Sequence, residues 1–327
     1  MKTIESPASS ALFAADFPGI MEVEEALHSI FAKAEGVTRD ICLSLNSGGK
    51  RIRPALVILS GLCFSDLSFE MVNTGVAAEL IHMASLVHDD VIDKSFTRRG
   101  KRSVNAVYGN RYAVLAGDFL FAKAFSILSS YNLAKSMKYF TDAIEQMCDG
   151  ELNQAEDSFD YKISIDRYFK RIAQKTGILI SSCCRSGASV AGADDEYVNI
   201  LRDYGMDLGC AFQIIDDILD FNGDETKLGK PVGNDMTNGD ITLPVILLIQ
   251  NPFYNSKIIE IINTGQVTKD SIKYINDMLK ASGAIERAYE IAENLINRAK
   301  SRICNVPDSI YRSYLIQIAD GMLNRKA

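Results

Sequence analysis

The sequence predicts an all-α fold, a single bundle of ten or more helices with its chemistry gathered at one end. Apolar residues recur at helical spacing along the chain, as in Ile20, Val23, Ala26, Leu27, Ile30 and Phe31, and again in Ile272, Ile275, Met278 and Leu279. Strand signals are sparse: no Asn-Gly turn stands between alternating β-branched runs, and Asn238-Gly239 falls in a loop. No low-complexity linker or short tandem repeat divides the chain. Residues 17–327 therefore read as one domain, behind a weakly patterned flexible tail over residues 1–16.

In order, helical spacing runs from about Pro18 to Leu45 and is broken by Gly48-Gly49-Lys50-Arg51-Ile52-Arg53-Pro54. Pro54 suits the first turn of the next helix, and a helix start with three basic side chains favours an anion. An apolar helix over 55–64 is followed by a longer one over 68–93, then by the basic loop Arg98-Arg99-Gly100-Lys101-Arg102. Further helices are expected at about 112–129, 133–156, 164–191 and 196–222. Lys227 to Asp235 form a Gly/Pro/Lys loop, Leu243-Pro244 opens another apolar helix, and the last 75 residues or so continue in helical period.

With 327 residues, 47% of them hydrophobic, the chain can bury a large core. A net charge of −7 argues against a nucleic-acid partner. The seven cysteines are odd in number and show no Cys-x-x-Cys spacing, so they read as buried, reduced thiols of a cytoplasmic protein. No run of 18 uncharged apolar residues predicts a membrane span, and the N-terminus lacks the pattern of a signal peptide.

Two acidic sets carry the chemistry. His88-Asp89-Asp90-Val-Ile-Asp93 and Phe212-Gln-Ile-Ile-Asp216-Asp217-Ile-Leu-Asp220 both keep an Asp-Asp-x-x-Asp spacing on apolar helices. Carboxylates three and four apart crowd one helix face and repel, so a counter-charge is needed. Facing each other, the sets would form a six-carboxylate cage of the kind that suits Mg²⁺ completed by substrate phosphates. His82 stands seven residues before Asp89, on the same helix face.

These pieces, together with Arg98-Arg99-Gly100, Ala116-Gly117-Asp118, Gly150-Glu151, Lys175-Thr176, Gly229-Lys230-Pro231 and Thr242-Leu243-Pro244, resemble the trans-prenyl diphosphate synthase family over roughly residues 20–327. The resemblance implies the isoprenoid synthase-type helical bundle with a central active-site cavity. It implies condensation of an allylic diphosphate with isopentenyl diphosphate, assisted by Mg²⁺ with three ions once substrate is bound. Asp89, Asp93 and Asp216 match first-choice metal ligands, and Asp90, Asp217 and Asp220 secondary or water-mediated ones. Arg98, Lys175 and Lys230 match residues that hold the allylic diphosphate. Lys50, Arg53, His82 and Arg99 match the isopentenyl diphosphate pocket, and Thr176, Phe212 and Gln213 the lining of the reacting carbons. Arg325 resembles a basic tail that closes over the site. Asp240 stands where many relatives carry lysine, which removes one diphosphate contact.

Product length is expected to follow from what blocks the tunnel below the first acidic set. Ser85 and Ala84 are small where short-chain relatives often place an aromatic residue, and Ile81 lies further down the same wall. This favours a long-chain product, as in heptaprenyl and other medium- to long-chain synthases; Phe121 and Phe125 are alternative floor residues. The rival reading is a short-chain farnesyl or geranylgeranyl diphosphate synthase. A terpene cyclase is disfavoured by the Gly-Gly-Lys-Arg pocket, and a non-catalytic subunit by the intact acidic sets. The family implies a homodimer, or a heteromer with a small regulatory subunit in which this chain is the catalytic member.

Overall fold

The computed structural model describes residues 17–46, 49–98, 100–222, 232–265 and 267–323. Arg99, Lys230 and Arg325 lie outside the described residues. The expected helical stretch from Pro18 is two helices, α1 (Ile20–Ala32) and α2 (Gly36–Asn46), because the chain turns between them and Gly36 takes a positive φ of 54°. After them come α3 (Ile52–Leu62), α4 (Phe69–Ile92), α5 (Val104–Tyr108), α6 (Asn110–Ser130), α7 (Ala134–Glu156), α8 (Ile165–Ile172), α9 (Ile178–Val190) and α10 (Asp195–Asn222). Among the described residues five helices follow, Asn234–Thr237, Leu243–Ile249, Asn255–Asn263, Lys269–Ser282 and Ala284–Ile303, and then Ile310–Leu323.

Local chemistry sets several of these boundaries. Ser68 caps α4 by accepting from the Met71 N–H, and Ser164 caps α8 by accepting from Arg167. Pro244 occupies the first turn of its helix, where a missing N–H is tolerated.

From Met71 to Ile81 every residue of α4 is buried, so this helix forms the centre of the bundle. Its long neighbour α6 runs antiparallel to it: His88 meets Val114 at one end, and the Phe69 and Tyr131 rings pack edge-on, 4.9 Å apart, at the other. Elsewhere in the bundle α10 packs against α9 and the 284–303 helix, while α3 packs against both α9 and α4. A smaller cluster of Ile41, Val87, Val104, Ala113 and Ala116 fixes the acidic end of α4.

Two details differ from the sequence expectation. The basic loop is a short antiparallel hairpin, with Thr97 opposite Arg102 and Arg98 opposite Lys101. The helix expected over 164–191 is interrupted by a π-helical turn at Ala173–Gly177, a feature that often re-aims side chains at a working site. The turn lies against α10 because a Cβ on Gly209 would come 2.6 Å from the Gly177 Cα; only glycine allows that approach. The helix Asn110–Ser130 has the length and composition to cross a membrane, yet its Ala113, Ala116, Leu120, Ala124 and Leu128 are buried against the protein.

Candidate active site

The first acidic set ends α4. Adjacent helical residues point about 100° apart, so Asp89 and Asp90 cannot share a face. Asp90 is buried, Asp89 half-buried and Asp93 exposed. Arg98 clamps Asp90: its Nε donates to both carboxylate oxygens at 2.9 Å and its Nη2 to Oδ1 at 2.8 Å. Asn105 secures the same turn, donating to the Asp90 carbonyl at 2.9 Å and the Ser95 carbonyl at 3.0 Å. His88 donates from Nε2 to the Val114 carbonyl at 3.0 Å, which needs Gly117 alongside, since a Cβ there would lie 2.1 Å from that nitrogen.

The second set divides in the same way. Asp216 is half-buried, whereas Asp217 and Asp220 are buried. Asp217 accepts from the Tyr168 hydroxyl at 2.6 Å and from Gln213 Nε2 at 2.9 Å. The other end of that amide, Gln213 Oε1, accepts from Thr176 at 2.7 Å. Asp220 accepts through its carbonyl from the Gly233 N–H at 2.8 Å and through Oδ2 from the Asp235 N–H at 3.3 Å, pinning the returning chain. Asp90, Asp217 and Asp220 are thus turned inward and engaged by protein donors, whereas Asp89, Asp93 and Asp216 are the more open members of the two sets.

The π turn brings Lys175 to this end of the bundle. Its Nζ donates to Glu151 at 2.9 Å and to Gln154 Oε1 at 3.0 Å, both on α7. Gln154 Nε2 in turn donates to Asp240 at 2.8 Å. Burial pulls the Lys175 ammonium down, but Glu151, Asp89 and Asp93 together hold it above its usual value.

Negative charge is in excess here. Burial first, then Glu151 and Asp93, push Asp89 up to about 7, despite Lys175 and Arg98. Asp93 is also raised, by partial desolvation of a side chain that still reaches solvent and then by Glu151, against Lys175 and Arg98. Burial and Asp235 push Asp217 up to about 8, and burial pushes Asp240 up to about 7 against the pull of Lys175 and Arg171. Asp235, whose N–H reaches Asp220, adds to the upward push on both Asp217 and Asp93.

At the neighbouring Gly49–Pro54 segment the three basic residues have different environments. Lys50 is exposed, Arg53 half-buried, and Arg51 buried at 6% exposure with a left-handed φ of 48°. Arg51 donates to Glu24, to Glu79 at 2.8 Å, and to the Asn46 carbonyl and side chain at 3.0 and 2.7 Å. It fastens the segment to α1, α2 and α4 and holds Lys50 and Arg53 on either side of it. His82, half-buried, lies on α4 between Glu79 and Asp89.

On the wall below Asp89, Ile81 and Ala84 are fully buried, and Ser85 is half-buried with its hydroxyl on the His82 carbonyl at 2.9 Å. Phe121 packs 5.8 Å from His88 and stacks 6.4 Å from Phe125, which places Phe125 one turn deeper along antiparallel α6. Phe212 is half-buried against the core. Several site residues were not marked by the sequence reading: Arg51 as a fastener, Tyr168, Gln154, Asp235, and Glu151 as the lysine's partner.

The donor set of Asp89, Asp93 and Asp216 is all oxygen, as Mg²⁺ prefers, and the raised Asp89 and Asp93 report charge that a divalent cation would neutralise. Among the described residues no three acidic, histidine or cysteine side chains converge on one point. A divalent ion held there would need the rest of its shell from phosphate or water.

Known proteins resemble this chain in sequence and in fold. The family model described as polyprenyl synthetase matches residues 37–279. The heptaprenyl diphosphate synthase component 2 of Bacillus subtilis is 38% identical over 283 residues, covering 86% of this chain and 80% of that one. A crystal structure of heptaprenyl diphosphate synthase from Staphylococcus aureus superposes with a TM-score of 0.90 at 36% identity, covering 97% of this chain and 100% of that one. A polyprenyl synthase from Caulobacter crescentus, complexed with calcium and isoprenyl diphosphate, also gives a TM-score of 0.90, at 30% identity, covering 99% and 100%.

Proposed function

Because this chain belongs to the polyprenyl synthetase family, we propose that it elongates farnesyl or geranylgeranyl diphosphate with isopentenyl diphosphate to a long-chain all-trans polyprenyl diphosphate. The chain is an enzyme, a prenyltransferase with the isoprenoid synthase-type all-α fold, of the medium- to long-chain trans-prenyl diphosphate synthases. The observation that carries the substrate reading is the excess of carboxylate around one half-buried lysine: Glu151 bonded to Lys175 at 2.9 Å, Asp89 and Asp93 beside it, and Asp235 joining them to the second acidic set. Such a site suits a diphosphate only when metal ions come with it.

In this reading Asp89, Asp93 and Asp216 hold Mg²⁺, three ions in all with substrate bound, which supplies Lewis-acid charge neutralisation to the departing diphosphate. Lys175, with Arg98 and Lys230, orients the allylic diphosphate and stabilises negative charge as the allylic C–O bond breaks and its electron pair leaves with diphosphate. Lys50, Arg53, His82 and Arg99 hold the isopentenyl diphosphate so that its double bond attacks the allylic carbon. The proton lost from the new chain goes to the departing diphosphate. Thr176, Gln213 and Phe212 line the reacting carbons, and the buried Tyr168–Asp217 pair fixes the Gln213 amide. Apolar walls exclude water from the cation, and Ser85 leaves the tail a path along α4.

Tyr112, Val114 and Leu115 leave an exposed apolar strip on α6, at 49, 42 and 55% exposure, which supports a homodimer through that helix. The component 2 designation of the Bacillus subtilis relative supports the alternative that a second, dissimilar chain is needed. Asp89→Ala and Asp216→Ala, assayed for Mg²⁺-dependent release of diphosphate, test the reading. Each is expected to lower turnover by ~10³-fold or more with the circular dichroism spectrum unchanged. Near-normal turnover in either variant removes that residue from the metal site.

A further inference from the structure

We infer that Asp240 is a positioning residue for Lys175, acting through the Gln154 amide to fix the direction in which the ammonium meets the allylic diphosphate. The inference rests on the elongation reading above. Three separate elements meet at this point. Gln154 lies on α7 one turn after Glu151, Lys175 on the π turn, and Asp240 on the loop before the 243–249 helix, 86 residues along the chain from Gln154.

The bonding pattern has a direction. An ionised carboxylate only accepts hydrogen bonds and an ammonium only donates them. The Gln154 amide between them has one orientation that satisfies both ends: its NH₂ on Asp240 at 2.8 Å and its carbonyl on Lys175 at 3.0 Å. Reversed, it would set two donors against each other at Lys175 and two acceptors at Asp240. Asp240 thus selects the face that Gln154 shows to the lysine.

The loop holds Asp240 in place, since its N–H donates to the Asp235 carbonyl at 2.9 Å. Beside it, Arg171 is anchored by donating to the Ile241 carbonyl at 2.6 Å and by stacking over the Tyr168 ring. With two of its N–H bonds taken by Glu151 and Gln154, Lys175 keeps a third for a phosphate oxygen arriving beside Asp89 and Asp93, whose charges already act on it. A tie that merely joined α7 to the loop would weaken the fold and handle both substrates alike. A positioning role weakens the grip on one substrate only.

The test compares wild type, Asp240→Ala, Asp240→Asn, Gln154→Ala and the Asp240→Ala/Gln154→Ala double variant at about pH 8, above the value to which Asp240 is raised. Steady-state kinetics vary farnesyl diphosphate and isopentenyl diphosphate separately, and thermal melts check the fold. Asp240→Ala is expected to raise KM for farnesyl diphosphate about tenfold and leave KM for isopentenyl diphosphate unchanged. Gln154→Ala should match it, and the double variant should be no worse than Gln154→Ala, because both act on one bond chain. Asp240→Asn keeps an acceptor for Gln154 and should recover to within about threefold. Multiplicative effects in the double variant, equal rises in both KM values, or a wild-type KM in Asp240→Ala would overturn the inference.

Titration calorimetry with Mg²⁺ and inorganic diphosphate reads the same contact without turnover. An inactive wild type that still binds diphosphate about tenfold tighter than Asp240→Ala would sink the elongation reading and keep the positioning role. An active wild type whose diphosphate binding is unaffected by Asp240→Ala would do the reverse.

Discussion

Arg51 offers a prediction whose size can be worked from the structure. It lies between Lys50 and Arg53, and its left-handed backbone and 6% exposure mark it as structural. Replacing it with methionine keeps much of the apolar stem but leaves Glu79, itself 4% exposed, with an uncompensated buried charge. Breaking a buried ion pair from one side typically costs about 3–5 kcal/mol. Unfolding entropy of roughly 2.1 cal/mol/K per residue gives about 0.7 kcal/mol/K for this chain, so Tm should fall by about 4–7 °C.

Removing both charges, as in Arg51→Met/Glu79→Gln, should recover a large part of that loss, because the orphaned carboxylate is gone. Calorimetric melting reads both effects. Kinetics should show KM for isopentenyl diphosphate rising with KM for the allylic substrate unchanged, since Lys50 and Arg53 lose their anchor. A single variant that melts within a degree of wild type, or a double variant that loses more than the single, would refute the role given to Arg51.

Other expectations follow from the same site. Asp89 and Asp217, raised to about 7 and about 8, bind more protons folded than unfolded across the mildly acidic range. Metal-free stability should therefore fall as pH rises from about 5 to 8, and Mg²⁺ with diphosphate should raise Tm more at the upper end. A Tm that climbs with pH in the absence of metal would contradict the charge excess. Asp89→Asn should melt above wild type at about pH 8 without metal while losing turnover, whereas a lower melting point would mean that its carboxylate is satisfied by the fold. Ser85→Phe should shorten the product; an unchanged product ladder would move the ruler to Phe125 on α6.

Much of this was legible in the sequence, and the gaps have physical causes. Long amphipathic or fully apolar periods announced α4, α6, α7 and α10, and the paired acidic spacing marked a candidate site on two of them. The division of labour within each acidic set follows from the helical phase between neighbours such as Asp89 and Asp90, but which one turns inward depends on Arg98 and Tyr168. Those partners come from other elements: Tyr168 is 49 residues from Asp217. The same holds for Gln154 and Asp240, whose contact no local pattern encodes. Arg51 looked like its two basic neighbours, because burial and a positive φ leave no mark on residue type. The π turn at Ala173–Gly177 was hidden by a helical period that continues through it.

The central claim is best tested by giving the purified chain alone Mg²⁺, farnesyl diphosphate and labelled isopentenyl diphosphate, and sizing the products by chromatography. Mg²⁺-dependent chains of C30 or longer are expected. A ladder that stops at C20, or no product from a correctly folded chain with any allylic primer, would contradict a self-sufficient long-chain synthase.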